Sequence, residues 1–203
     1  MGKAPWIVAV FTAALLAGCS RDEPMPGYPY ALPQANGKDV ADVDLVGSEL
    51  GHSIDARMPP DNAVFTIHLA DIMAPAKGQP WHAEAVAALD ALVKGKHARM
   101  RVFQTMAPPE DLRRPDGTPF NVAVIAHVFV DGRNLSWELV GSGNAWVWEA
   151  KSNDPELKKL QEWARQRRKG LWALPESDRV PPWQFIETRM RQLERQREES
   201  APK

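Results

Sequence analysis

Cysteine is almost missing from this chain: Cys19 is the sole one among 203 residues. A lone thiol forms no internal disulfide, and it leaves no cysteine framework for a zinc site and no second thiol for redox work. No spacing among the histidines, Cys19 and the carboxylates specifies a metal. Net charge is nearly missing too. A formal balance of -1 gives the whole molecule no pull towards a polyanion. Long apolar runs are also lacking, since Trp6 to Leu16 is too short for an ordinary transmembrane helix.

What is present is enough apolar material for one domain core with length to spare, at 44% hydrophobic and 25% charged residues. Charge is unevenly placed. From Pro155 onward there are 12 Lys/Arg against 8 Asp/Glu, so that C-terminal part carries +4 and the remainder -5. Such a basic part either tracks phosphates or forms a solvated helical face, and the solvated face is the default.

Residues 1–18 read as a signal peptide: Lys3 gives a positive start, Trp6 to Leu16 an apolar stretch, and Leu16-Ala17-Gly18-Cys19 a small-residue end. That end resembles a bacterial lipobox. The resemblance implies cleavage before Cys19, acylation of its thiol and a membrane anchor, and Ser20 after it implies an outer-membrane location facing the periplasm. An uncleaved anchor or a plain secreted form is the alternative. Residues 19–38, with Pro24, Pro26, Gly27, Pro29, Pro33 and Gly37, read as a tether.

The domain is expected over residues 39–173. Val40 to Val46 makes a first strand and Gly51-His52-Ser53-Ile54 opens a second. Val64 to Leu69 is a third, delivering Asp71-Ile72-Met73-Ala74-Pro75-Ala76 as a turn before a helix beginning near Gln79. Ala85, Val86, Leu89, Leu92 and Val93 recur at helical spacing up to Gly95. His97 to Phe103 alternates as a strand. Thr105 to Pro119 is a long Pro-rich loop holding Arg113, Arg114 and Asp116. Val122 to Val130 is a strand, Asp131-Gly132 a hairpin turn, and Asn134 an N-cap for Leu135 to Val140. Ala145 to Trp148 is a short strand, and Asp154-Pro155 starts a helix carrying Leu157, Leu160, Trp163 and Ala164. Residues 174–203 form a tail in which Ile186, Met190 and Leu193 mark an amphipathic helix, with docking on its own domain as the default.

Leu69, Ile72 and Pro75 in the third strand and its turn, with Asn134 to Val140, Ala145 to Trp148 and Lys169-Gly170-Leu171-Trp172, resemble the staphylococcal nuclease family. That family reads approximately Arg-Leu-x-Gly-Ile-Asp-x-Pro-Glu at the turn. The resemblance covers roughly Asp39 to Trp172. It implies an α+β fold: an OB-fold-like five-stranded β-barrel with three packed helices, extended here by a C-terminal helix. It also implies calcium-dependent phosphodiester hydrolysis in an active member.

Carried over position by position, His68 stands at the first catalytic arginine, Met73 at a calcium-binding aspartate, and Ala76 at the glutamate that positions water. Thr118 stands at the second arginine, and His52 at the other carboxylate ligand. A thioether is no calcium ligand, an alanine orients no water, and a histidine lacks the guanidinium fork. Hence no catalytic residue is expected in its family place and no cofactor is expected. Asp71 and Arg114 are the substitute candidates, and His52, His68, Asp71, Trp81, Arg113 and Arg114 the candidate binding set.

Three functions follow. The first is a non-catalytic binding module for an envelope protein or a nucleic acid, held at the membrane through Cys19. The second is an active phosphodiesterase whose rearranged site uses Asp71, His68 and Arg114. The third is a structural lipoprotein acting through its C-terminal helix. Eight tryptophans invite a base-stacking role, but Trp137, Trp146, Trp163 and Trp172 sit at core-like positions. Trp81 and Trp183 are the expected exposed ones.

Overall fold

The computed structural model describes residues 24–29, 40–60, 62–108 and 121–200. Apolar and β-branched alternation places five long strands in one sheet. These are β1 (Val40–Leu50), β2 (Ser53–Met58), β3 (Ala63–Leu69), β5 (His97–Met106) and β6 (Ala123–Val130). Their order is β3-β2-β1-β5-β6, and β6 returns to pair in parallel with β3, closing a mixed five-stranded barrel. Closure leaves β3 bonded on both sides. Short pieces complete the strands: β4 (Ile72–Met73) pairs with β8 (Trp146–Val147), and β7 (Arg133–Asn134) with β6.

Two ladder irregularities bend this barrel. Register shifts between Leu45 and Leu50 curl β1 across its partner β2. A second shift, between Val102 and Gln104, leaves Phe103 out of the β5–β6 ladder, and Phe103 ends 55% exposed. The β6–β7 hairpin turns on Asp131 and Gly132, both at positive φ (49° and 82°), which is the handedness that matches strand twist.

Four α-helices cover the barrel: α1 (His82–Val93), α2 (Leu135–Gly141), α3 (Pro155–Gln166) and α4 (Pro182–Ser200). The caps are those the sequence predicts. Asn134 accepts from the Trp137 N–H at 3.2 Å, and Asp154 accepts from Glu156 and Leu157 at 2.9 and 3.2 Å. Each such cap contributes about 1 kcal/mol. Ala85, Leu89 and Val93 on α1, with Leu157 and Leu160 on α3, join the inward barrel residues Ile54, Ile67, Met100, Ala126 and Val128 in one core. Each large side chain so buried contributes about 1.5–3 kcal/mol.

Two parts differ from the sequence reading. Within the expected tether, residues 24–29 lie on the domain. Tyr28 meets Phe129 and Trp137 edge-on at 5.6 and 5.3 Å, and the Trp137 indole N–H donates to the Pro26 carbonyl at 2.8 Å. Proline and glycine signalled an extended chain, yet the apolar Met25 and Tyr28 within it find a surface. On α4 the first two turns dock: Trp183 lies edge-on to Trp146 at 6.2 Å, and Phe185 and Arg189 lie beside Gly78, while just before the helix the Val180 carbonyl accepts from Gln79 at 2.9 Å. Ile186, Met190 and Leu193 remain exposed, so docking along the whole helix does not occur.

Candidate functional site

Alternation along β3 sends Phe65, Ile67 and Leu69 inward and leaves Thr66 and His68 on the outer face. His68 is in register with Ser53 of β2 on one side and Ile125 of β6 on the other. His52 precedes β2, and its carbonyl accepts from the Leu69 N–H at 2.9 Å. The His52 and His68 rings therefore meet at 6.4 Å between centroids. His82, at the start of α1, donates from Nδ1 to the Pro75 carbonyl at 2.8 Å and faces the same cluster.

Proton positions follow from these partners. His52 Nδ1 accepts from the Ala74 N–H at 3.3 Å, so in the neutral ring Nε2 carries the hydrogen. Burial, then the charges of His68 and His82, push the His52 pKa down to about 4. Burial also holds His68 below the ordinary histidine value. Near neutral pH both rings are uncharged, so this cluster is a poor phosphate clamp.

Asp71 lies in the turn between β3 and β4 at φ 70°, in the left-handed region. The parallel β3–β6 pairing ends with Leu69 beside Ala126, which brings His127 next to this turn. His127 Nε2–H donates to the Asp71 carboxylate at 2.7 Å, and the two side chains are only 19% and 22% exposed. Phe103, pushed out by its bulge, packs edge-on against the His127 ring at 4.8 Å. Three further bonds fix the turn: Trp148 N–H to the Asp71 carbonyl at 2.8 Å, Ala70 N–H to the Ala126 carbonyl at 2.9 Å, and the Ser136 hydroxyl to the Ala70 carbonyl at 2.9 Å.

The donor set does not fit calcium, the ion that the family resemblance implies. Calcium takes about 6–8 oxygen ligands. Here Met73 offers sulfur and Ala76 nothing, the Asp71 carboxylate is bonded to His127, and Asp55 accepts from the Thr66 hydroxyl at 3.0 Å. Among the described residues, no group of three or more His, Cys, Asp or Glu is placed to hold a metal ion. His52 is unsuited to a transition metal as well, because its one lone-pair nitrogen already serves Ala74.

Of the candidate binding set, the structure brings His52 and His68 together and turns Asp71 away to His127. Trp81 is no free surface ring. It stands at φ 68° ahead of α1, donates its indole N–H to Asn144 at 2.9 Å, and packs against both apolar clusters. Arg113, Arg114, Thr118 and Cys19 lie outside the described residues. Sequence reasoning missed His127 and Phe103. His127 is the single polar residue in the run Val122 to Val130, and that interruption is the signal that could have found it.

The match to a known family starts in β3. The family model described as "Staphylococcal nuclease homologue" matches residues 66–174, more than half of the chain. An "Uncharacterized endonuclease" of Escherichia coli is 35% identical over 118 residues, covering 58% of this chain and 67% of that protein. "Protein ParB" of Escherichia coli is 30% identical over 137 residues, covering 66% and 73%. "Probable staphylococcal-like nuclease CAN1" of Oryza sativa subsp. japonica is 29% identical over 121 residues, covering 60% of this chain and 32% of that protein.

Proposed function

The chain belongs to the staphylococcal nuclease family, and from that premise we propose that it uses the family's barrel as a membrane-anchored binding module and does not carry out calcium-dependent phosphodiester hydrolysis. The donor set carries this reading. Where an active member is expected to place two carboxylate ligands, a water-orienting glutamate and an arginine, this chain has His52, Met73, Ala76 and His68. None of these side chains supplies the hard oxygen ligands, the water-orienting carboxylate or the guanidinium fork that the calcium-dependent reaction needs. Anchoring rests on Leu16-Ala17-Gly18-Cys19, which has the form of an acylation site.

The ligand we infer is an envelope protein. Val64, Phe103 and Val122 are 47%, 55% and 42% exposed on or beside β3, β5 and β6. Exposed apolar and aromatic side chains suit a protein interface, whereas the net charge of -1 favours no polyanion.

The test incubates the protein with single- and double-stranded DNA and RNA, in calcium, zinc or chelator, beside an Asp71→Ala variant. No cleavage under any condition is expected. Metal-dependent cleavage that disappears in the variant overturns the reading.

One observation favours a second reading, an active phosphodiesterase with a rearranged site. A carboxylate 2.7 Å from an imidazole nitrogen orients that ring and leaves its other nitrogen as a base. Cleavage that persists in chelator and is lost in both Asp71→Asn and His127→Gln is its signature.

A further inference from the structure

The docked N-terminal segment runs over one particular side of the barrel. Read backwards from β1, Tyr28 lies against Phe129 of β6 and Trp137 of α2, and Pro26 accepts the Trp137 indole hydrogen. Met25 then occupies the space that a Cβ on Gly141 would take, beside Leu160 of α3. From Tyr28 to Met25 the chain thus crosses from β6 over α2 to the α2–α3 seam. Only Ser20-Arg21-Asp22-Glu23 separates Pro24 from Cys19. Five residue steps reach at most about 18 Å, which is also about the length of the 12-residue α3.

The helix beside Met25 and the turn that follows it are together basic. Lys158, Lys159 and Arg165 lie within α3, and Arg167, Arg168 and Lys169 just past its end, against Glu156 and Glu162. Leu157, Leu160 and Ala164 face the core, so Lys158, Lys159 and Arg165 fall on the exposed side together with Glu162, and Arg168 is exposed just beyond the helix. Lys159 is paired with Glu156 at 2.6 Å, and Arg165 lies over the Trp172 ring at 5.7 Å while keeping its charge. The spacer itself, with one Arg against Asp22 and Glu23, is net negative, so the cations come from the helix.

We propose that α3 is a second, electrostatic membrane contact: its basic face lies on anionic phospholipid headgroups beside the acylated Cys19. A single acyl signal reinforced by a basic patch is a common route to stable anchoring. The sequence spacing puts both within about one helix length of each other. This inference rests on the anchoring part of the proposed function and is independent of whether the barrel cleaves nucleic acid.

The test uses the full acylated protein with Gln166→Cys, where the acylated Cys19 is blocked and the new thiol takes a fluorophore. Energy transfer to a headgroup-labelled lipid is compared in phosphatidylcholine vesicles and in vesicles with about one third phosphatidylglycerol. Transfer at least twofold greater in the anionic vesicles is expected. It should be lost on adding Lys158→Glu and Arg165→Glu, with the far-UV dichroism unchanged, and lost in the parent at about 1 M salt, where the Debye length is about 3 Å. Equal transfer in both vesicle types, or a preference insensitive to salt, overturns the proposal. Mass measurement showing an unmodified Cys19 overturns it by a different route, by removing the anchor.

Discussion

Asp71 accepts a 2.7 Å hydrogen bond from His127 while its own backbone stands at φ 70°. The side chain and the backbone thus act in opposite directions on stability. The left-handed conformation costs a residue with a Cβ about 1–2 kcal/mol, and a hydrogen bond to a charged group contributes about 1.5–3 kcal/mol. Asp71→Ala loses the bond and keeps the strain, so a loss of about 2–3 kcal/mol is expected. Asp71→Gly loses the bond but sheds the strain, and should be less destabilised than Ala by about 1 kcal/mol. Urea unfolding of the two variants decides; equal midpoints would show that the turn carries no backbone strain.

His52 makes stability depend on pH. Its folded pKa, pushed down to about 4, lies below the unfolded value near 6.5, so between these limits the unfolded chain binds more protons. The contribution is complete above about pH 6.5 and is lost as pH falls towards about 4, amounting to about 3 kcal/mol at most. His52→Gln keeps an acceptor for the Ala74 N–H but does not titrate. Its stability profile over that window should be flatter than the parent's, and an unchanged slope would remove His52 from the account.

Gly51 is needed for closeness. A Cβ there would lie 2.8 Å from the Ala74 Cβ and 2.9 Å from the Ala85 Cβ, where the β1–β2 turn is squeezed between the β4 turn and α1. Gly51→Ala must push the His52-bearing turn outward, at a cost of about 1–3 kcal/mol. A chemical-shift change at His52 and His68 should accompany the loss. Full stability with undisturbed histidine signals contradicts this packing.

Tyr28 holds the N-terminal segment down. Tyr28→Ala removes two edge-on aromatic contacts and should cost about 2 kcal/mol. Limited proteolysis between residues 24 and 40 should speed up in the variant while the barrel stays protected. Identical cleavage rates in parent and variant would mean that the segment is not held by this ring.

Strand β6 shows what the sequence made legible and what it did not. Its apolar run, the Asp131-Gly132 turn and the Asn134 cap are local signals, and each produces the expected element because its chemistry acts within a few residues. The family likeness supplied the barrel, and the observed five-stranded mixed sheet agrees with it. The partner of Asp71 was hidden because His127 is 56 positions away. Period-two alternation says which face a residue takes but not which strand lies beside it. Element ends slipped for similar reasons: α1 begins at His82 rather than near Gln79, because Gln79 is spent bonding Ala76 and Val180. The strand expected over Ala145 to Trp148 shortens to Trp146–Val147, the two residues that face Met73 and Ile72 of the equally short β4.

Because β3 is bonded on both flanks, by β2 and by β6, a one-residue slip would have to break two ladders at once and expel Phe65, Ile67 and Leu69 from the core. The inward and outward residues of this strand therefore bear on different properties. A substitution at the outward His68 leaves both ladders and the core in place, whereas one at Phe65, Ile67 or Leu69 acts on the barrel itself.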